Sequence, residues 1–295
     1  VALDEMRASF LPTLWTGVGE RSGVEQIWFP GVHCDVGGGY PERGLSDAAL
    51  AWMMEEAAGV GLAFRADMRG QVVPDARDVL HDSRTGVFRH LRTQPRSVPP
   101  IRDGEPALHP SVLQRQARPP ITQAPYRPTV CLGIGEEKAA AVFAVQHWND
   151  TGLYLEAGGR YRFSAAGQWV DRTIRCGPGG TDDGKFRFGE LAQMAGSLWG
   201  KAEEAFQLAT RNPTADFYGT RREETLPWFS LVGAIANSGN PGPDGTPEPA
   251  EIIGIRDGCD YTVKESGYLS CFANDAWHFY DNNRGSVVLR VERIG

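Results

Sequence analysis

The chain has no apolar run long enough to span a bilayer. The best, at residues 228–236, is half of the roughly 18 residues required. We therefore expect a protein that is not integral to the membrane. Cysteine is scarce: the five, at positions 34, 131, 176, 259 and 271, are scattered and never stand in the Cys-x-x-Cys spacing of a zinc or redox site. Mostly reduced, packed thiols are the expectation. A surplus of positive charge is also missing. With 30 Lys and Arg against 37 Asp and Glu, the net charge of −7 argues against a nucleic-acid partner. The start, Val1-Ala2-Leu3-Asp4-Glu5, has no initiator Met, basic leader or hydrophobic signal core. The sequence reads as a fragment of something longer. No Gly-x-Ser-x-Gly occurs anywhere in it.

What is present is an ordinary globular share of hydrophobic residues, 41%, punctuated by 36 glycines and 20 prolines, which disfavours long helical bundles. Three zones differ in kind. Up to about residue 64, an apolar run (Gln26-Ile27-Trp28-Phe29-Pro30-Gly31-Val32) reads as a buried central strand. The glycine turn 37–39 and then a helix follow. Ser46-Asp47 can cap that helix, whose packed stripe is Leu45, Ala49, Trp52, Met53 and Glu56. Strand, loop and helix in that order are an α/β signature.

Residues 65–128 hold eleven Arg against six Asp or Glu, no Lys and ten prolines, which reads as an irregular wrap over a domain surface. Solvated arginines bracing a loop are the first reading, an anionic headgroup site the second. His109 reads as structural, at a turn into a single helical turn. From about residue 139, period-two strands appear at 142–146, 159–165, 229–236, 269–273 and 286–292, which suggests a β-sandwich. Residues 190–210 are helix-forming and read as an insertion between two strands.

Two groups of residues carry chemistry. His33 follows the apolar run at its C-terminal end, where open α/β sheets place ligands, with Asp35 two residues on. A histidine on such a loop suits the base of a Ser–His–acid triad; it also suits a loop anchor working through a backbone hydrogen bond. A metal reading of His33-Cys34-Asp35 is weak, because adjacent residues cannot all face one ion. Near the C-terminus, Asp275, Asn282 and Asn283 with a loop carbonyl offer the hard oxygen donors that Ca²⁺ takes; Asp and Asn also fill turns by capping their own backbones.

Two resemblances refine these readings. Ala2-Leu3-Asp4-Glu5-x-Arg7-x-x-Phe10, then residues 25–40 with Gly31-Val32-His33-Cys34-Asp35-Val36-Gly37-Gly38-Gly39-Tyr40, then Gly44-Leu45-Ser46-Asp47, resemble the α/β-hydrolase family that includes the class 1 phospholipase effectors of type VI secretion. Asp82-Ser83, His109-Pro110-Ser111-Val112 and Tyr126-Arg127-Pro128 look like its C-terminal tail. The resemblance implies His33 as triad base and Asp35 as an orienting or loop-bracing group. The family's Gly-x-Ser-Arg-Gly elbow and its acidic partner lie upstream of the Ala-Leu-Asp-Glu phrase, so this chain alone should be inert. An ester or phospholipid substrate and a missing N-terminal part of the hydrolase follow as partners. The implied setting is a bacterial cytoplasm with export that needs no signal peptide.

Further on, Ala165-Ala166-Gly167-x-Trp169, Gly177-Pro178-x-Gly180, Leu231-Val232-x-x-Ile235-x-Asn237-Ser238-Gly239 and residues 274–285 are similar to the PA-I-type galactophilic bacterial lectins. The resemblance implies a calcium ion held by side chains of Asp275, Asn282 and Asn283 and by the carbonyls of Phe279 and Asp171, with a glycan at the calcium site. The expected fold is thus α/β plus all-β. A C-terminal portion of an α/β-hydrolase, residues 1–128, is followed by a linker, 129–138, and a lectin-like calcium-binding sandwich, 139–295, with a helical insertion near 183–225. The alternative is a non-enzymatic, calcium-dependent carbohydrate-binding module beside a degenerate hydrolase remnant.

Overall fold

A computed structural model describes residues 1–17, 23–181, 221–240, 242–243 and 248–295. The helix expected at 190–210, and most of the insertion expected near 183–225, fall outside the described residues.

The second half forms two facing antiparallel sheets. One holds β1 (Glu137–Phe143), β3 (Arg160–Asp171), β4 (Ile174–Cys176), β7 (Gly258–Thr262) and β9 (Asn283–Arg293), ordered β1-β9-β3-β4 with β7 also on β3. The other holds β2 (Asn149–Leu155), β5 (Leu231–Ala236), β6 (Glu251–Ile253) and β8 (Gly267–Ala273), ordered β2-β8-β5-β6. Tyr161, Phe163 and Trp169 of β3 alternate inward, as do Val287, Leu289 and Val291 of β9, because successive strand residues face opposite sides. β5 and β8 are buried throughout, as strands covered on both faces should be. Trp169 meets Phe229 edge-to-face, with ring centroids 5.6 Å apart. Burying each such ring contributes on the order of 2–3 kcal/mol.

Strand limits depart from the expected ones for local reasons. β1 stops at Phe143, where the Asn149 side chain binds both its N–H (2.8 Å) and its C=O (3.1 Å). β5 starts at Leu231 because Phe229 takes a left-handed backbone (φ 58) that turns the chain into the core. The Gly177-Pro178-x-Gly180 turn needs its last glycine. φ there is +77, and a Cβ would stand 2.5 Å from the Trp228 carbonyl.

The first half is built differently. Its helices are α1 (His33–Gly37), α2 (Gly44–Gly59), α3 (Ala66–Arg69) and α4 (Pro110–Ala117). The apolar run at 26–32 is extended and buried but does not form the expected central strand. Phe29 makes a single parallel bridge to Ala2, and Trp28 one to Leu108. Pro30 has no N–H to extend the ladder, and Gly31 turns the chain. α2 starts one turn before the expected cap: Arg43 is its N-cap residue and Ser46 Oγ donates to the Arg43 carbonyl. Met53, expected in the packed stripe, is 55% exposed, whereas Leu45, Ala48 and Ala49 pack. His109 caps α4, a two-turn helix rather than one, by accepting from Ser111 N.

Seven arginines of the wrap, Arg65 and Arg84 among them, are exposed as expected, but Arg96 and Arg115 are buried and Arg127 is half-buried. Arg96 donates to the carbonyls of Ala2 and Phe10 (2.6 Å each), Arg115 to those of Ala76 and Asp78, and Arg127 to that of Leu3. Where a chain lacks regular hydrogen bonding, its buried carbonyls need donors, and a guanidinium offers five. The hydrophobic cluster of this region, with Leu3, Trp28, Ile101 and Val112, is completed by Tyr154 of β2 and Tyr268 of β8. Residues 129–138, expected as a linker, also join the sandwich: Val130 pairs with β2 through Val130 N to Gly152 O (2.8 Å) and Tyr154 N to Val130 O (3.0 Å).

Candidate functional site

His33 opens α1, and its side chain is exposed. The turn that carries it needs Gly31: φ is +114, and a Cβ would lie 2.4 Å from Asp35 Cβ. Two buried carboxylates, Glu5 and Asp35, bond the backbone of this turn. Glu5 Oε2 accepts from His33 N (3.3 Å), while the same carboxylate takes Arg7 Nε (2.9 Å), Arg7 Nη2 (2.8 Å) and Ser83 Oγ (2.9 Å). Burial alone would push the Glu5 carboxyl up, but the bonds from Arg7, Ser83 and the His33 amide outweigh it and hold it at about 2. Asp35 accepts from Val32 N (2.9 Å) and His81 N (3.1 Å), and its other oxygen lies 2.6 Å from His81 Nδ1.

The carboxylate beside His33 in sequence is thus bonded to a different imidazole. The His81 ring stacks on Tyr40, with centroids 3.7 Å apart, and its Nε2 lies 3.2 Å from Glu42 Oε2. The His33 ring meets Phe10 edge-on at 5.5 Å. This leaves an exposed imidazole on a turn whose backbone is fixed. Sequence reasoning missed His81 and Glu5. Glu5 stands in the Ala2-Leu3-Asp4-Glu5 stretch with nothing in its spacing to mark a role, and His81 stands 46 residues from Asp35 with no spacing to connect them.

In the sandwich, β9 opens at Asn283, which is paired in register with Asp171 at the end of β3. The turn Trp277–Asn282 leads into it from Asp275. Asp275 is fully buried, Asp171 is 2% exposed and Asn283 3% exposed. Asn283 Nδ2 donates to Asp275 Oδ2 (2.9 Å) and Ala144 O (3.3 Å), and Ala276 N donates to Asp275 Oδ1 (2.7 Å). Burial pushes the Asp275 carboxyl up to about 6. The nearby Asp171 charge acts in the same direction, and the bonds from Asn283 and Ala276 oppose it.

The buried Oδ1 atoms of Asn282 and Asn283 have no hydrogen-bond partner among the described residues. Buried oxygens without donors are costly unless something positive meets them. Asp275, Asn283 and Asp171 thus lie together, with Asn282 next to Asn283 in the chain, and their oxygens are of the kind a hard divalent cation takes. Asp171 brings a carboxylate as well as the carbonyl expected of it. No group of three or more His, Cys, Asp or Glu side chains with metal-binding geometry occurs among the described residues, so any cation held here would depend on the asparagine and carbonyl oxygens.

Comparison with known proteins gives two results. A family model described as the catalytic domain of Tle1-like phospholipase effectors of type VI secretion matches residues 1–56, which include the whole His33 turn. A solved structure described as "EclA N-terminal domain; PllA-like lectin" is similar at 17% identity. The match covers 52% of this chain and 94% of that one, with a TM-score of 0.32. No curated protein matches. No helix among the described residues is long and apolar enough to cross a membrane.

Proposed function

We propose that this chain is part of a serine-type phospholipase or esterase effector of type VI secretion, with a lectin-like module that localises it through calcium. The observation that carries the enzymatic half is the match of residues 1–56 to the Tle1-like catalytic domain, centred on a turn whose imidazole stands exposed while two buried carboxylates fix its backbone. His33 would accept the proton of a serine hydroxyl as that oxygen attacks the ester carbonyl. It would then return the proton to the departing alcohol, and repeat the exchange with water to release the acid. The nucleophile is supplied by polypeptide outside residues 1–295. In a preparation that carries the serine elbow, His33→Ala should lower hydrolysis of a fluorogenic phospholipid by 10³-fold or more; unchanged turnover would end the assignment. The 295-residue chain by itself should release no fatty acid.

In the sandwich, Asp275, Asn282 and Asn283 would hold calcium by side chains, and Phe279 and Asp171 by their carbonyls. The bound ion would offset the buried carboxylate charge and leave coordination positions for sugar hydroxyls. The chemistry of the donor set supports this reading, and so do the orphaned Asn282 and Asn283 oxygens. Calcium titration calorimetry should give heat with the parent chain and none with Asp275→Ala; silence in both would retire the site. A second reading, a carbohydrate-binding module beside an inactive remnant, is favoured by the absence of a Gly-x-Ser-x-Gly elbow from this sequence. Ester turnover by a serine-bearing preparation decides between the two.

A further inference from the structure

Residues 221–227 have no role in the reading above, yet they hold residues 274–276 and two rings of the turn that follows. Arg221 bridges Ala276, and Arg222 N donates to Asp275 O (3.2 Å). The fully buried Asn274 accepts from Glu223 N (2.9 Å) and donates to the carbonyls of Glu223, Pro227 and Leu226 at 2.9, 3.1 and 3.2 Å. The Arg222 guanidinium sits among four rings. Its central carbon is 3.5 Å from the centroid of Phe272, 4.0 Å from Trp148, 4.9 Å from Trp277 and 5.7 Å from Tyr280. Nη1 donates to His147 O (2.5 Å) and Tyr280 Oη (3.0 Å), and Tyr280 Oη donates to Ala273 O (2.5 Å).

Two of those rings, Trp277 and Tyr280, belong to the turn that delivers Asn282 and Asn283. The other two stand on the rigid sheet and on the turn before β2. A cation over aromatic faces with directed N–H bonds fixes angles as well as filling space. A neutral chain of the same volume would fill the box without orienting it. We propose that Arg222 is a positioning residue for the divalent cation: seated in this aromatic box, it fixes the Trp277–Asn282 turn so that the oxygens of Asp275, Asn282 and Asn283 converge before the ion arrives. The proposal rests on the calcium reading.

The test compares calcium affinity by calorimetry with melting in EDTA, for the parent chain and for Arg222→Met, Arg222→Lys and Tyr280→Phe. Arg222→Met should weaken calcium at least tenfold, out of proportion to any fall in metal-free melting temperature, and Arg222→Lys should recover most of the loss. Parent-like affinity in Arg222→Met would overturn the proposal and leave calcium binding intact. Should Arg222→Met fail to fold, Tyr280→Phe decides. It keeps the ring and cuts the tie to the turn, so a three- to tenfold loss supports the proposal and parent affinity overturns it. No calcium heat in the parent chain would instead remove the calcium reading beneath it.

Discussion

The two halves of the molecule solve the same physical problem in different ways. The sandwich closes a core between its own sheets, with Trp169, Phe229, Leu231 and Leu289 all inaccessible. Residues 1–128 form no strand longer than an isolated bridge among their described residues, and they complete their core with Tyr154 and Tyr268 of the other half. Among the described residues, fifteen large hydrophobics are exposed, and eleven of these lie in the first half, Trp15, Leu50, Met53 and Ile121 among them. The contrast predicts a one-way dependence, in which the first half needs the sandwich more than the sandwich needs the first half.

The largest expected effect tests that asymmetry directly. Trp169→Ala opens a cavity in the self-contained core and should cost about 3–5 kcal/mol. Because the first half leans on the sandwich, both should unfold together in a denaturant titration followed by hydrogen exchange. Protection that persisted at the Leu3 and Trp28 amides after the sandwich had melted would break the comparison.

The next effect sharpens it through opposite pH slopes. Glu5, in the first half, is held at about 2 against an ordinary 4.5. Its contribution is present above pH 4.5 and is lost as pH falls from there towards 2. Asp275, in the sandwich, is raised to about 6 from 3.8. Its neutral form suits the metal-free fold, so stability is full below pH 3.8 and is lost as pH rises through 6. Allowing for solvent screening, each shift moves stability by on the order of 1–3 kcal/mol. In EDTA, local exchange should therefore show the first half loosening in acid and the Asp275 loop loosening towards neutrality, with calcium restoring the loop at pH 7.5. Parallel slopes in the two regions would refute this.

Legibility in the sequence follows the same division. β3 and β9 could be read because one-sided burial writes an alternating apolar pattern, and β8 because burial on both faces writes a continuous one. β2 (Asn149–Leu155) could not. Its buried positions include Asn149 and Thr151, whose side chains satisfy the carbonyls of Cys271 and Leu269, so burial there carries no apolar signature. β4 and β6, at three residues each, are too short for any period. The run at 26–32 was read as a full strand because its apolarity is real; what it lacks are long neighbours to pair with. Asp275, Asn282 and Asn283 stand within nine positions of one another, so their nearness could be read from the sequence. The tie of Asp35 to His81 and the aromatic seat of Arg222 were not, since both join residues separated by dozens of positions, and only packing brings them together.

The smallest effect isolates the seam between the halves. Tyr268 projects from β8 into the first half's cluster, where its hydroxyl accepts from Ile101 N at 2.8 Å and lies 2.7 Å from Thr129 Oγ1. Tyr268→Phe keeps the ring and removes the hydroxyl, leaving a buried N–H without its acceptor, at about 1–2 kcal/mol. If the dependence runs one way, that loss should appear as faster exchange at Ile101 and its neighbours while the β5 and β8 amides keep their protection. Were β8 to loosen equally, the two halves would be one cooperative unit, and the exposed apolar face of residues 1–128 would belong to the whole molecule.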